Sequence, residues 1–106
     1  MAAMPDVEYT LDDMTFVWND VKAEFNIKKH GVTFEEAATS FNDERAKILY
    51  DEVHSYDEER FVLLGHSIIS NLLTVCHCYR LDDGVTRIIS ARRASRGERR
   101  IYEGGK

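Results

Sequence analysis

The clearest periodic signal in the chain lies between residues 32 and 41. Phe34, Ala37, Ala38 and Phe41 fall at i, i+3, i+4 and i+7, the apolar stripe of one helix. Thr33-Phe34-Glu35-Glu36 opens that stripe with the spacing of a capping box, and Val32 and Ala37 suit a hydrophobic staple. A helix is therefore predicted from 33 to about 41. An earlier helix over 21–30 is predicted from Asn19 or Asp20 as N-cap and Gly31 as a left-handed stop. Residues 15–18, Thr-Phe-Val-Trp, read as a short strand. After residue 42 the pattern becomes β-prone: 46–50, 60–69, 72–80 and 85–92 are strand-like runs with turn residues between them. Residues 94–102 close the chain as a helix capped by Ser95, weakened at Gly97 by about 1 kcal/mol relative to Ala. The first 13 residues are acidic, contain Pro5 and lack periodicity, so they read as a flexible tail ahead of one domain over 14–106. The predicted class is α+β, with two N-terminal helices on one face of a mainly antiparallel sheet and a short C-terminal helix.

Hairpin register then places the side chains. With Asp83-Gly84 as a two-residue loop, His77 faces Ser90, Tyr79 faces Ile88 and Arg80 faces Arg87. By alternation Val75, His77, Tyr79, Ser90 and Arg92 share a half-polar face. Leu72, Cys76, Cys78, Ile89 and Ala91 form the face the helices cover. A weaker two-residue turn signal at Ser70-Asn71 adds Phe61, Leu63 and Gly65 to the covered face, and Val62, Leu64 and His66 to the half-polar one. Arg80 opposite Arg87 is a mildly unfavourable pairing that a carboxylate, Glu58 or Glu59, or a bound phosphate would relieve.

Composition is that of a soluble globule of 106 residues, 43% apolar and 31% charged. No run approaches the ~20 apolar residues of a membrane span, and acidic residues stand where a secretory leader would be apolar, so a cytoplasmic protein is expected. Cys76 and Cys78, two apart, are read as small buried residues and not as a disulfide or zinc pair. No cofactor and no metal site are expected. The chain is acidic overall, but the charge is segregated: residues 1–79 carry 6 basic and 15 acidic side chains, residues 80–106 carry 8 and 4. A basic strand-and-helix unit on an acidic body is the footprint of polyanion binding. Of the histidines, His30 is accounted for by a helix C-terminus, His54 by an exposed loop and His66 by packing. His77, with Tyr79, Ser90 and arginines around it, is a workable proton-transfer group for phosphate chemistry.

These residues also carry a family resemblance. Phe16-Val-Trp18-Asn-Asp20, Lys22-Ala-Glu24-Phe-Asn26 and Lys29-His30-Gly31-Val32-Thr33-Phe34-Glu35-Glu36-Ala37 are similar to the opening signature of the BrnT family. So are Glu59-Arg60, Gly65, Val75-Cys-His77-Cys-Tyr79-Arg80, Arg87-Ile-Ile-Ser90-Ala-Arg92-Arg93-Ala94, and Glu98-Arg99 with Tyr102, in the family's order over about residues 15–103. The resemblance implies a RelE-like domain beginning near Met14 and a toxin of a type II toxin–antitoxin system that cleaves RNA without a metal and halts translation. It implies a BrnA-type antitoxin with a ribbon-helix-helix part, a toxin–antitoxin hetero-oligomer that reaches operator DNA only through the antitoxin, and autoregulated transcription. Carried over by position, His77, Arg80, Arg60, Glu59 and Arg92 are the implied catalytic residues. Arg87, Tyr79, Ser90 and Arg93 are the implied RNA-binding residues. The competing functions are a non-catalytic nucleic-acid-binding module and an antitoxin-type interaction protein.

Overall fold

The computed structural model describes residues 6–56, 58–80 and 84–104. Six strands form one sheet in the order β1-β2-β6-β5-β4-β3. The strands are β1 (Asp6–Leu11), β2 (Met14–Asn19), β3 (Lys47–Tyr50), β4 (Phe61–His66), β5 (Leu72–Arg80) and β6 (Val85–Arg93). Neighbours run antiparallel except β2 and β6, which pair in parallel over Phe16–Val17 and Thr86–Arg87. Helices α1 (Asp20–His30) and α2 (Phe34–Thr39), the latter continued by a 3-10 turn at Ser40–Asn42, cover one face. Helix α3 (Arg96–Tyr102) returns past β4.

The expectation of a tail over residues 1–13 is corrected here. Residues 6–11 form β1, hydrogen-bonded to β2 from Asp6↔Asn19 to Leu11↔Met14. The cause is legible in the sequence: Val7, Tyr9 and Leu11 alternate with Asp6, Glu8 and Thr10, and their side chains pack against the core. Asp12, at φ 56, makes the tight turn into β2. The two covering helices thus follow a hairpin and do not open the chain. Residues 1–5 lie outside the described residues.

Local signals explain the helices. The Asn19 side chain accepts from Lys22 N–H at 3.0 Å, and Gly31 closes α1 at φ 70 with its N–H on the Ile27 carbonyl. Thr33 Oγ1 accepts from Glu36 N–H at 3.0 Å. The second half of that capping box is not made, because the Glu36 carboxylate turns instead to Ser67 Oγ and Asn71 Nδ2 at 2.8 and 2.9 Å. At α3 the box is complete, Ser95 and Glu98 capping each other's backbone.

The strand register corrects the predicted faces. β4 and β5 are joined through residues 67–71, wider than a turn at Ser70-Asn71, with Ser67 N–H on the Asn71 carbonyl. Leu63 therefore faces Val75, and Gly65 faces Leu73. In the second hairpin Arg80 pairs with Val85, not with Arg87; Asp83 of the predicted turn lies outside the described residues. Then β6 bulges: His77 faces Ile88 while Cys76 faces Ser90, leaving Ile89 the extra residue. The bulge has a packing cause. Ile88 and Ala91 are both buried in the core, and strict alternation would send residues three apart to opposite faces. The covered face consequently holds Phe16, Trp18, Leu63, Leu73, Val75, His77, Ile88 and Ala91 against Val32, Phe34, Ala37 and Ala38. Ser90 and Arg92 stand on the other face, with Thr74 and Cys76.

Beyond Arg87 the outer edge of β6 has no strand partner among the described residues, and one side chain takes that place. Asn26 of α1 donates to the Ala91 carbonyl at 2.8 Å and accepts from Ala91 N–H at 3.0 Å, and it also donates to the Val32 carbonyl. A buried asparagine with its amide fully used pins α1 to the sheet.

Candidate functional site

On the face away from α1 and α2 lies a hollow of about 250 Å³. Val62, Thr74, Cys76, Ile89 and Ser90 line it from the strands, and Asp51, His54, Arg60 and Arg92 line it as well. The loop between β3 and β4 is tied at its base. Asp51 N–H donates to the Arg60 carbonyl at 2.9 Å, Ser55 Oγ donates to the Asp51 carbonyl at 2.6 Å, and Arg60 N–H donates to Ser55 Oγ at 2.9 Å. This closure sets Arg60 and His54 over the strands. Asp51 holds the imidazole of His54 at Nδ1, 3.0 and 3.2 Å from its two oxygens. An imidazole oriented at one nitrogen by a carboxylate keeps the other for proton transfer.

Arg60 is the least satisfied cation of the hollow. Its Nε is buried without a hydrogen-bond partner among the described residues, and its Nη2 is 3.8 Å from Glu58, at a long ion-pair distance. Buried donors are normally paired, so an orphan N–H on a guanidinium beside an open hollow is a site for an acceptor from outside. Arg92 differs. It makes a two-pronged pair with Glu98, both contacts at 2.8 Å, and Glu98 also receives Thr74 Oγ1 and Ser95 N–H. The Arg92 hydrogen bonds, against an opposing burial effect, hold the Glu98 carboxyl at about 2. Glu98 thus fixes Arg92 in place and offsets much of its charge. The Cys76 thiol is pushed up, chiefly by burial and then by Asp51, which keeps it protonated. Both cysteines are free.

Of the residues singled out from the sequence, Arg60, Ser90 and Arg92 meet in this hollow. His77 does not. By strand alternation it shares the side of core Val75 along β5 and is fully buried on the covered face among Phe41, Phe61 and Tyr79, while the Ile89 bulge carries Ser90 and Arg92 to the other face. Its Nδ1 lies 3.1 Å from the Val75 carbonyl and its Nε2 2.9 Å from the Tyr79 hydroxyl. That arrangement fits a ring that donates from Nδ1 and accepts at Nε2. Burial lowers its pKa, so His77 is a neutral core residue with both nitrogens occupied. Tyr79 lies on that same face, half exposed. Arg80 is exposed at the end of β5, outside the hollow. Arg87 pairs with Asp6 at 2.9 Å, and this hydrogen bond is the main cause that lowers the Asp6 carboxyl. The predicted facing of Arg80 and Arg87 does not occur, since Arg87 faces Cys78. Glu59 and Arg93 are exposed and outside the hollow. His54, Asp51 and Thr74 were not singled out as a group. The available signal was the Asp51/His54 spacing of three in a loop ending at Arg60, which brings the two side chains together in one turn.

A roomier hollow, about 400 Å³, lies near Asp12, Asp43 and His66. Two carboxylates make it a poor anion site. Asp43 is in addition consumed internally: burial would raise its carboxyl, but N–H donors of His66 and Arg45 and the Tyr102 hydroxyl bring it below the usual range.

The fold and the hollow define a small α+β protein with helices backing one sheet face and an arginine-bearing, anion-receptive hollow on the other. The chain belongs to the BrnT family, described as the ribonuclease toxin of type II toxin–antitoxin systems, whose family model matches residues 18–98. It is accordingly the toxin component of such a system, for which a cognate antitoxin is implied. Among solved structures it is similar to the Brucella abortus ribonuclease toxin BrnT, at 22% identity and a TM-score of 0.56, over 74% of this chain and 94% of that one. At that identity the likeness concerns the fold. No curated protein matches the chain. Strand β1 lies ahead of the region that the family model matches. Among the described residues no helix is long and apolar enough to cross a membrane.

Proposed function

We propose that the chain is an endoribonuclease whose working site is the hollow of Arg60, Thr74, Ser90 and Arg92, with the His54–Asp51 pair at its edge. The observation that carries this reading is the buried Nε of Arg60, unpartnered among the described residues, beside hydroxyls and an oriented imidazole. Arg60 receives the scissile phosphate and stabilises the charge that builds on it in the transition state. Arg92, held by Glu98, presents its remaining guanidinium surface as a second, weaker contact. Ser90 and Thr74 position the ribose and phosphate oxygens. His54, oriented by Asp51, takes the proton of the ribose 2′-hydroxyl as its oxygen attacks phosphorus. The P–O5′ bond breaks and the leaving O5′ takes a proton from water in the open hollow. The products are a 2′,3′-cyclic phosphate and a 5′-hydroxyl. No step requires a metal ion.

As a toxin, the protein then halts translation in the cytoplasm by cleaving RNA. A BrnA-type antitoxin with a ribbon-helix-helix part neutralises it, and the hetero-oligomer represses its own transcription through that part's contact with operator DNA. The test is incubation of the antitoxin-free protein with RNA in the presence of a chelator. Fragments bearing 2′,3′-cyclic phosphate are expected, with none from substrates deoxygenated at the 2′ position. Salt-sensitive retention of intact RNA would replace the enzyme with a binding module.

A further inference from the structure

Helix α1 spends its apolar side chains in an unusual way. Only Ala23 and Asn26 are buried along its length, while Phe25 is 69% exposed. Lys22, Phe25, Asn26 and Lys29 are spaced i, i+3, i+4 and i+7 and so share one side of the helix. The Asn26 amide fixes that side against Ala91 of β6, so Phe25 is held at a set position beside the sheet. Between helix and strand lies a second hollow of about 280 Å³, lined by Lys22, Phe25, Lys29, His30, Ile89 and Ser90, with Asn26 at its base. No carboxylate lines it. Among the described residues none of the side chains of Lys22, Lys29 and His30 has a hydrogen bond or ion pair to a protein group. Ile89 and Ser90, the bulge of β6, also line the hollow of Arg60 and Arg92. The two hollows therefore share a wall at the bulge.

An exposed aromatic ring flanked by unpaired cations suits a single-stranded nucleic acid, because bases stack on the ring while phosphates meet the ammonium groups. A protein partner would also be drawn to an exposed phenylalanine. Two lysines with no carboxylate in the lining, and the shared wall with the arginine hollow, favour the polyanion. We propose that this second hollow is a nucleotide subsite that holds the RNA next to the cleavage position, one base stacked on Phe25 and the adjoining phosphates on Lys22 and Lys29. The assignment rests on the ribonuclease reading above, and it makes Phe25 a substrate-positioning residue.

The test is binding of short single-stranded 2′-O-methyl RNA, which lacks the attacking hydroxyl, measured by fluorescence anisotropy alongside cleavage of ordinary RNA. Phe25→Ala should weaken binding about tenfold and Phe25→Trp should restore it. Replacing one base of the oligonucleotide by an abasic site should cost wild type a similar factor at one position, and cost Phe25→Ala nothing further there. Lys29→Ala should make the salt dependence shallower by about 0.7 in log–log slope. Unchanged RNA binding by Phe25→Ala overturns the subsite, even if wild type cleaves. So does a Phe25→Ala protein that binds RNA normally but loses its antitoxin, since the ring then belongs to a protein interface. The ribonuclease reading fails separately, if wild type binds the oligonucleotide and leaves ordinary RNA intact. Because Phe25 is exposed, the thermal melting of the variant checks that the fold is intact.

Discussion

At the scale of single residues, Arg60 and His77 exchange the roles that their surroundings in the sequence suggest. Arg60 reads as one cation among several, yet it has the orphan donor and the open hollow. Arg60→Ala should lower RNA cleavage by about 100-fold or more, as loss of a transition-state donor does, and Arg60→Lys should recover little of it. Initial rates on a single RNA substrate decide this; a fully active lysine variant would argue for a plain charge effect. His77 lies among hydroxyls and arginines in the sequence, but it shares the core face of Val75 on β5, and the Ile89 bulge takes Ser90 and Arg92 to the opposite face. His77→Ala should cost about 2–4 kcal/mol in urea denaturation, from a cavity and two abandoned hydrogen-bonding groups. Cleavage per folded molecule should stay at the wild-type level. Glu98 gives a pH signature. Its carboxyl sits at about 2 in the folded protein against an ordinary 4.5, so its pair with Arg92 stabilises fully above about 4.5 and is lost as pH falls toward 2. With Arg92 partly exposed, the pair is worth about 1–2 kcal/mol once solvent screening is included. Unfolding free energies from urea titrations at neutral pH and near pH 3 should differ more for wild type than for Glu98→Gln, by about 1 kcal/mol, since at pH 3 only part of the contribution is lost.

At the scale of elements, the helices and the strands β3 to β6 follow from periodicity, caps and turn residues close to their observed limits. Ser95 caps α3, Gly31 stops α1, and residues 72–80 form the strand drawn from the sequence. Two elements were harder. Strand β1 hides an alternating pattern inside an acidic, proline-containing stretch whose composition outweighed it. The bulge in β6 answers to Ile88 and Ala91 needing the same side, which no local pattern announces. Strand β1 offers a direct check. Val7, Tyr9 and Leu11 pack half-buried against the core, and Tyr9 lies against Trp18 with ring centroids 5.5 Å apart. A chain shortened to begin at Met14 should lose about 3 kcal/mol, roughly 1 kcal/mol for each of the three side chains. Chemical denaturation of the two forms measures it. Equal midpoints would mean that β1 adds nothing to the fold.

For the whole molecule, the fold pairs two arginines of the C-terminal segment with carboxylates, one of them from the other end of the chain. Arg87 and Arg92 are neutralised by Asp6 and Glu98, while Arg60 and the lysines of α1 add open positive charge from the acidic segment of residues 1–79. About three phosphate contacts, from Arg60, Lys22 and Lys29, predict a log–log salt dependence near −2 for single-stranded RNA. A slope near −5, measured by anisotropy over a range of salt, would return the binding role to the C-terminal arginines.

The sequence alone determined the kinds of element, their order after residue 14 and the family, because caps, stops and periodicity act over a few residues and need no knowledge of the rest. It also placed Arg60, Ser90 and Arg92 among the residues of interest. Only the tertiary structure decided which of these side chains meet. A single extra residue in β6 reverses the facing of everything beyond it, and a carboxylate 6 residues away in α3 decides that Arg92 is held while Arg60 is open. Those outcomes depend on which side chains must be buried together, and that is settled by the packed core as a whole.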